Sequence, residues 1–151
     1  LSQAPRSGHY LCFDYGTVRI GVAVGNSQLG TATPLVAIKN NSGTPDWSAI
    51  DQAIADWQPV GLVVGIPLTE NAEVQEMTHL ARGFRKRLAK RTEIAVFDAD
   101  ESFTSVQAQQ ELKKMRANGQ RGRTQKADID TLAAALILER WFNSHFTGST
   151  T

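Results

Sequence analysis

The amino-acid sequence predicts a single α/β domain built on a mixed five-stranded sheet flanked by helices. Three observations carry that expectation. Two apolar, β-branched-rich runs flank a short polar turn in His9–Asn26 (HYLCFDYGTVRIGVAVGN), the pattern of a hairpin. A short, continuously apolar run at Gly61–Pro67 (GLVVGIP) suits a strand buried on both faces of a parallel sheet. Stretches of helical periodicity alternate with the later strands, the order of a βαβ section joined to antiparallel strands.

Taken in order, residues 1–8 are expected to be a disordered leader, residues 9–146 the domain, and residues 147–151 a disordered tail. The first strand carries Asp14 at its end and turns through Tyr15-Gly16-Thr17-Val18 into the second. Thr31–Lys39 reads as a third strand, with Pro34 favouring an edge position. Asn40-Asn41-Ser42-Gly43 is a turn. A helix then begins with Thr44 as N-cap, Pro45 at its first position and Asp46 in its first turn. Trp47, Ile50, Ile54 and Trp57 recur at helical spacing and predict one buried stripe, with both tryptophans as core anchors. Pro59 stops that helix ahead of the buried strand. A second helix is expected over Ala72–Lys90, a strand over Glu93–Asp98, and a third helix from Thr104 or Ser105 to about Met115. The last helix, Ile129–Phe142, is apolar nearly all round and so packs deep in the fold, with Asp128 or Asp130 favoured in its first turn.

The length of 151 residues suits one domain with a real core, and 41% hydrophobic with 21% charged residues is an ordinary globular composition. The single cysteine, Cys12, excludes an internal disulfide framework and reads as a small buried hydrophobe in a reducing, cytoplasmic setting. No apolar run reaches the length of a membrane span, and the N-terminus has no signal-peptide core. The net charge of +1 hides an uneven distribution. Arg82–Arg91 and Lys113–Lys126 each hold six basic residues and no acid, together twelve of the sixteen lysines and arginines. Local basic patches of this kind are the footprint of a polyanion partner.

An aspartate at the end of a central strand is costly unless it is paired, hydrogen-bonded or bound to a cation. Asp14 ends the first strand, Glu101 follows a later parallel strand, and Asp130 opens the last helix. Ligands of such sheets gather at the carboxyl ends of strands. Carboxylates brought together without a cation repel, whereas Mg²⁺ or Mn²⁺ suits hard oxygen ligands and keeps positions for water and phosphate. Two such ions could activate a water and stabilise the leaving oxygen in phosphodiester cleavage. Acids at helix starts and strand ends also serve as caps alone, and spacing does not decide between the two readings.

FDYGTVRIGVAVG, VVGIP, DESFTS and IDTLAAALIL, in that order and spacing, closely resemble the YqgF family over about residues 9–142. That resemblance implies an RNase H-like fold similar to the RuvC-type Holliday-junction resolvases. It implies a metal-dependent nuclease that matures the ends of pre-16S ribosomal RNA, or that resolves Holliday junctions. Carried over by position, the family's acids fall on Asp14, Glu101 and Asp130, as catalytic residues and as ligands of one or two Mg²⁺ or Mn²⁺ ions, with Asp128 the second choice for the third ligand. Three positions depart from the family: Ser102-Phe103 stand where Arg-Leu is usual, and Thr33 stands where relatives often have Arg before the proline.

Arg19, Lys113, Arg121, Arg123 and Lys126 are the candidates for holding nucleic-acid phosphates; a solvated loop has the same composition as Arg121–Lys126. The expected partner is structured RNA ahead of branched DNA, on pre-ribosomal particles, with the protein a monomer or homodimer and no membrane involved. No aromatic-interleaved surface or recognition helix reads bases. Gly16, Gly21 and Gly25 have the wrong spacing for a dinucleotide fingerprint, and His9, His79 and His145 have no metal spacing. FDYGT is also similar to the phosphate-binding hairpin of actin-like ATPases, which need two such domains where this chain supplies one. A catalytically silent RNA-binding factor is the other contender, but it has no need to face a polyanion with three carboxylates.

Overall fold

The computed structural model describes residues 6–41, 43–67, 72–100, 110–111, 114 and 126–146. Its strands are β1 (His9–Tyr15), β2 (Arg19–Asn26), β3 (Thr31–Asn41), β4 (Thr44–Pro45), β5 (Gly61–Ile66) and β6 (Ala95–Asp100). Its helices are α1 (Trp47–Trp57), α2 (Ala72–Arg91) and α3 (Lys126–His145). The sheet order is β4-β3-β2-β1-β5-β6. β1 pairs antiparallel with β2 and parallel with β5, and β5 pairs parallel with β6. The mixed sheet therefore matches the expectation, with six strands rather than five because the two-residue β4 pairs with Asn40 and Asn41.

Period-two alternation assigns the strand side chains to two cores. Leu11, Phe13 and Tyr15, with Ile20, Val22, Leu62, Val64 and Ile66, pack on α1 and α2 through Ile50, Ala81, Phe84 and Leu88. Tyr10, Cys12, Val63 and Ala99 face α3 through Ile137, Leu138, Trp141 and Phe142. β1 and β5 are thus covered on both sides, which is why their sequences read as unbroken apolar runs. Each fully buried Leu, Ile or Phe contributes about 1.5–3 kcal/mol of hydrophobic stabilisation. Tyr10 donates its hydroxyl to the Arg6 carbonyl, and burial pushes its phenol pKa up.

Several boundaries depart from the sequence reading. Asp46, not Thr44, caps α1: its carboxylate accepts from the Ala49 N–H at 3.3 Å, while Thr44 and Pro45 are drawn into pairing with β3. Asn40 and Asn41 belong to β3 rather than to the turn. Trp47 stacks on Phe84 at 5.6 Å between ring centroids, as a core anchor should, but Trp57 is 38% exposed at the helix end. Gln58 then adopts a left-handed conformation (φ 44°) ahead of Pro59. β6 starts two residues later than Glu93, because the Thr92 hydroxyl accepts from the Ile94 N–H at 3.2 Å and holds a bend there. Asp98 consequently lies within the strand. It pairs with Arg85 of α2, on the sheet face opposite Phe97 and Ala99, and so belongs to no carboxylate group with Asp14. α3 begins at Lys126, so Asp128 occupies its first turn and Asp130 the next. The expected helix from Thr104 or Ser105 lies outside the described residues except for Gln110, Glu111 and Lys114, which are helical.

Among the described residues β3 is an edge strand along most of its length, since β4 covers only Asn40 and Asn41. Its register against β2 shifts between Val22 and Ala23, whose partners are Val36 and Pro34, leaving Leu35 as the extra residue of a bulge. Pro34 sits at that irregularity, in keeping with the edge position its missing N–H requires.

Candidate active site

Asp14 is half-buried near the carboxyl end of β1, in line with Tyr10 and Cys12 on the face that α3 covers. Its Cα partners are Gly21 on β2 and Gly65 on β5, and Gly65 pairs in turn with Ala99 on β6. One row across four strands therefore reads Gly21, Asp14, Gly65, Ala99. The residues on either flank of the carboxylate have no side chain, which leaves space beside it on the α3 face.

α3 descends into that space. A Cβ on Gly21 would lie 2.2 Å from the Asp130 carbonyl oxygen, 2.4 Å from its carbonyl carbon and 3.0 Å from its Cβ. Asp130 is thus seated directly on the glycine that pairs with Asp14, and paired Cα atoms of antiparallel strands stand only about 4.5–5.5 Å apart. Gly25, one turn of the ladder further on, accommodates the same helix: a Cβ there would come within 2.9 Å of Leu138 and of Phe142. These glycines are the positional residues that sequence reading passes over. A glycine inside a strand signals close backbone approach, and Gly21 and Gly25 carry that signal.

The Asp130 carboxylate accepts a hydrogen bond from the Arg19 Nε at 2.9 Å, across 111 positions of sequence. Both side chains are about one-third exposed, 30% and 31%. An ion pair that wet contributes at most about 1 kcal/mol, so its main effect is to orient the carboxylate. Arg19 is a candidate phosphate contact in the sequence; here it sits on the strand next to Asp14 and engages Asp130. The hairpin that carries Arg19 is fixed by Asn40, whose Nδ2 donates to the Gly16 carbonyl at 2.7 Å while its N–H donates to the Val18 carbonyl at 3.0 Å. Arg19 pairs across the ladder with Lys39. The two cations line an open groove of about 570 Å³ with Thr17, Val18, Asn40 and Asn41. Lys39 is a second cation near the site that the sequence does not single out.

The structure thus brings together Asp14, Asp130 and Arg19. Asp128 is half-buried in the first turn of α3, and its carbonyl accepts from the Thr131 hydroxyl at 3.2 Å. Glu101, Lys113, Arg121 and Arg123 lie outside the described residues, as does the Lys126 side chain. Among the described residues no group of three carboxylate, histidine or cysteine side chains could hold a metal ion. Asp14 and Asp130 carry carboxylate oxygens, the ligand chemistry of Mg²⁺ or Mn²⁺ rather than of a soft metal.

A model of the RuvX family, described as a Holliday junction resolvase, matches residues 8–144. A relative from Histophilus somni is 44% identical over 138 residues, covering 91% of this chain and 96% of its own length. One from Shewanella oneidensis is 42% identical over 136 residues, covering 90% and 94%. Both carry the name "Putative pre-16S rRNA nuclease". Among solved structures, T. thermophilus RuvC in complex with a Holliday junction substrate superposes with a TM-score of 0.54 at 17% identity, covering 93% of this chain and 96% of that one. A second Thermus thermophilus RuvC structure gives 0.51 at 15% identity, covering 90% and 95%. At such identities the likeness is one of fold: the RNase H-like architecture. Among the described residues, no helix is long and apolar enough to cross a membrane.

Proposed function

The chain belongs to the RuvX family of Holliday junction resolvases, the YqgF family, and from that membership we propose that it is a nuclease. It hydrolyses phosphodiester bonds in structured RNA and processes the ends of pre-16S ribosomal RNA on pre-ribosomal particles in the cytoplasm. The names of the relatives at 42–44% identity favour RNA over branched DNA as the substrate.

The observation that carries this reading is the seating of Asp130 on Gly21, the ladder partner of Asp14. This supports a shared site for two acids far apart in sequence, near the carboxyl ends of the central strands, where such sheets bind ligands. Gly65 leads from Asp14 to Ala99, and Glu101 follows two residues later in the chain. Neighbouring strands are about 4.8 Å apart, so the Ala99 backbone stands roughly 10 Å from that of Asp14. Asp14, Glu101 and Asp130 would hold one or two Mg²⁺ or Mn²⁺ ions. Such an ion, when bound, would supply an activated water and stabilise the leaving oxygen. Arg19 keeps the Asp130 carboxylate turned into the site and, with Lys39, presents positive charge to the substrate backbone. Lys113, Arg121, Arg123 and Lys126 supply further phosphate contacts.

Cleavage of a structured pre-rRNA end and of a four-way DNA junction, each with Mg²⁺, Mn²⁺ or EDTA, tests the reading. The expected result is metal-dependent RNA cleavage, with Asp14→Asn at least about 100-fold slower, the upper end of what losing even an outer-shell partner of a metal costs. Binding without cleavage in every metal would reassign the protein as an RNA-binding maturation factor. Cleavage of the junction alone would reassign it as a resolvase.

A further inference from the structure

The basic run Arg82–Arg91 lies on α2, on the sheet face opposite Asp14 and Asp130, and its six cations divide into two sets. Three tie the helix down. Arg85 bonds the Asp98 carboxylate and the Val96 carbonyl, Arg87 donates to the Gly43 carbonyl at 2.8 Å, and Arg91 makes a two-pronged pair with Asp51. Arg87 and Arg91 also lie over the Trp47 ring. The other three, Arg82, Lys86 and Lys90, are exposed and make no hydrogen bond or ion pair with any described residue.

Their positions are not scattered. Spaced at i, i+4 and i+8, they form one ridge about 12 Å long at 1.5 Å per residue. At 100° per residue that ridge points away from Ala81, Phe84 and Leu88, the side chains that seat α2 in the core. Exposed His79 lies on the same side, one turn earlier, and the helix has no acid after Glu76. The fold gains little from this arrangement. Like charges at i, i+4 weaken a helix, and the macrodipole favours cations only in the last turn, which includes Lys90 but neither Arg82 nor Lys86. The nearby acids Asp51 and Asp98 are already paired with other arginines.

We propose that Arg82, Lys86 and Lys90 form a second nucleic-acid contact, a phosphate-tracking ridge on the far face of the sheet from the carboxylates. The proposal rests on the nuclease reading and narrows its substrate class. A sheet and a helix separate the ridge from Asp14, so one molecule touching both must wrap around the domain. A folded RNA with a flanking helical arm does so; a short single strand does not.

The test is binding rather than cleavage, in EDTA, of a long stem-loop RNA and of a short single-stranded RNA across a salt titration. Wild type is compared with Arg82→Gln/Lys86→Gln/Lys90→Gln and with the charge-preserving Arg82→Lys/Lys86→Arg/Lys90→Arg. Losing three phosphate contacts should weaken stem-loop binding roughly tenfold or more at low salt and make the slope of log K against log salt shallower by about 2–3. The charge-preserving variant should bind like wild type, the short strand should not distinguish the three proteins, and the glutamine variant should melt no lower than wild type. Unchanged stem-loop affinity and slope would overturn the ridge. So would a lowered melting temperature with unchanged binding, or unchanged RNA binding with loss of binding to an acidic polypeptide, which would make the ridge a protein-docking surface. Failure of wild type to bind either RNA would instead sink the proposed RNA substrate, and the ridge with it.

Discussion

Gly21→Ala probes the joint on which the proposed site depends. The added methyl carbon would stand 2.2 Å from the Asp130 carbonyl oxygen and 2.4 Å from its carbonyl carbon, both backbone atoms that cannot swing aside as a side chain would. Ordinary contact begins at 3.4 Å, so the start of α3 must lift by about 1.2 Å. Overpacking of this kind costs about 1–3 kcal/mol, offset by about 0.5–1 kcal/mol from replacing a glycine inside a strand. A net loss of about 1–2 kcal/mol leaves a marginally stable domain folded at room temperature. The chemistry should suffer more, because a misplacement of about 1 Å costs on the order of 100-fold in rate. Urea unfolding followed by tryptophan fluorescence reads the first effect. Single-turnover RNA cleavage in saturating Mg²⁺, under conditions where the variant is folded, reads the second. Wild-type cleavage by a folded Gly21→Ala protein would refute the reasoning, since Asp130 would then not depend on its seat against β2.

Three further substitutions test the frame around that site. A methyl group added at Gly83 of α2 would meet nothing within 4 Å, so Gly83→Ala should raise stability by about 0.5–1 kcal/mol, seen as a higher urea midpoint with an unchanged slope. Asp46→Ala removes the α1 cap and should lower stability by about 1 kcal/mol by the same measurement, whereas Thr44→Ala should have little effect. The Arg91 guanidinium holds the Asp51 carboxyl below its ordinary value of 3.8. A depressed folded-state pKa contributes stability that is present above the unfolded value and lost as pH falls through the folded one. Wild type should therefore exceed Asp51→Asn in thermal midpoint at pH 6, and the gap should close on acidification below about pH 4; a gap that persists at pH 2 would contradict the pairing.

The strands were legible because their burial is symmetric: β1 and β5 are covered by helices on both faces, and an unbroken apolar run has no other economical explanation. Boundaries were less legible where two local devices compete. Thr44-Pro45-Asp46 offers two acceptable caps, and the choice of Asp46 depends on Asn40 and Asn41 recruiting Thr44 and Pro45 into the sheet, a tertiary event. Likewise Trp57 continues the periodicity of α1, but at the last position of the helix it has, among the described residues, only His9 as a ring partner and stays 38% exposed. In the site, Asp14 announced itself as a charge at the end of a buried strand. The pairing of Asp130 with Arg19 did not, because a contact across 111 residues leaves no local trace. The glycines at 21 and 65 were visible as residues but not as a row, since only the pairing register aligns them with the carboxylate.

The irregular edge of β3 bears on how this protein behaves in a crowded solution. Leu35 and Val36 are exposed there, 36% and 44%, beside a strand whose outer side is mostly uncovered, a combination that invites intermolecular stacking and fibril growth. Pro34 has no N–H to offer an incoming chain, and the extra residue at Leu35 throws any flat neighbour out of step. A second molecule arriving along that border finds its hydrogen-bond track interrupted at the point where the greasy side chains would otherwise reward it, so the domain keeps this strip in solvent while its own border discourages polymerisation.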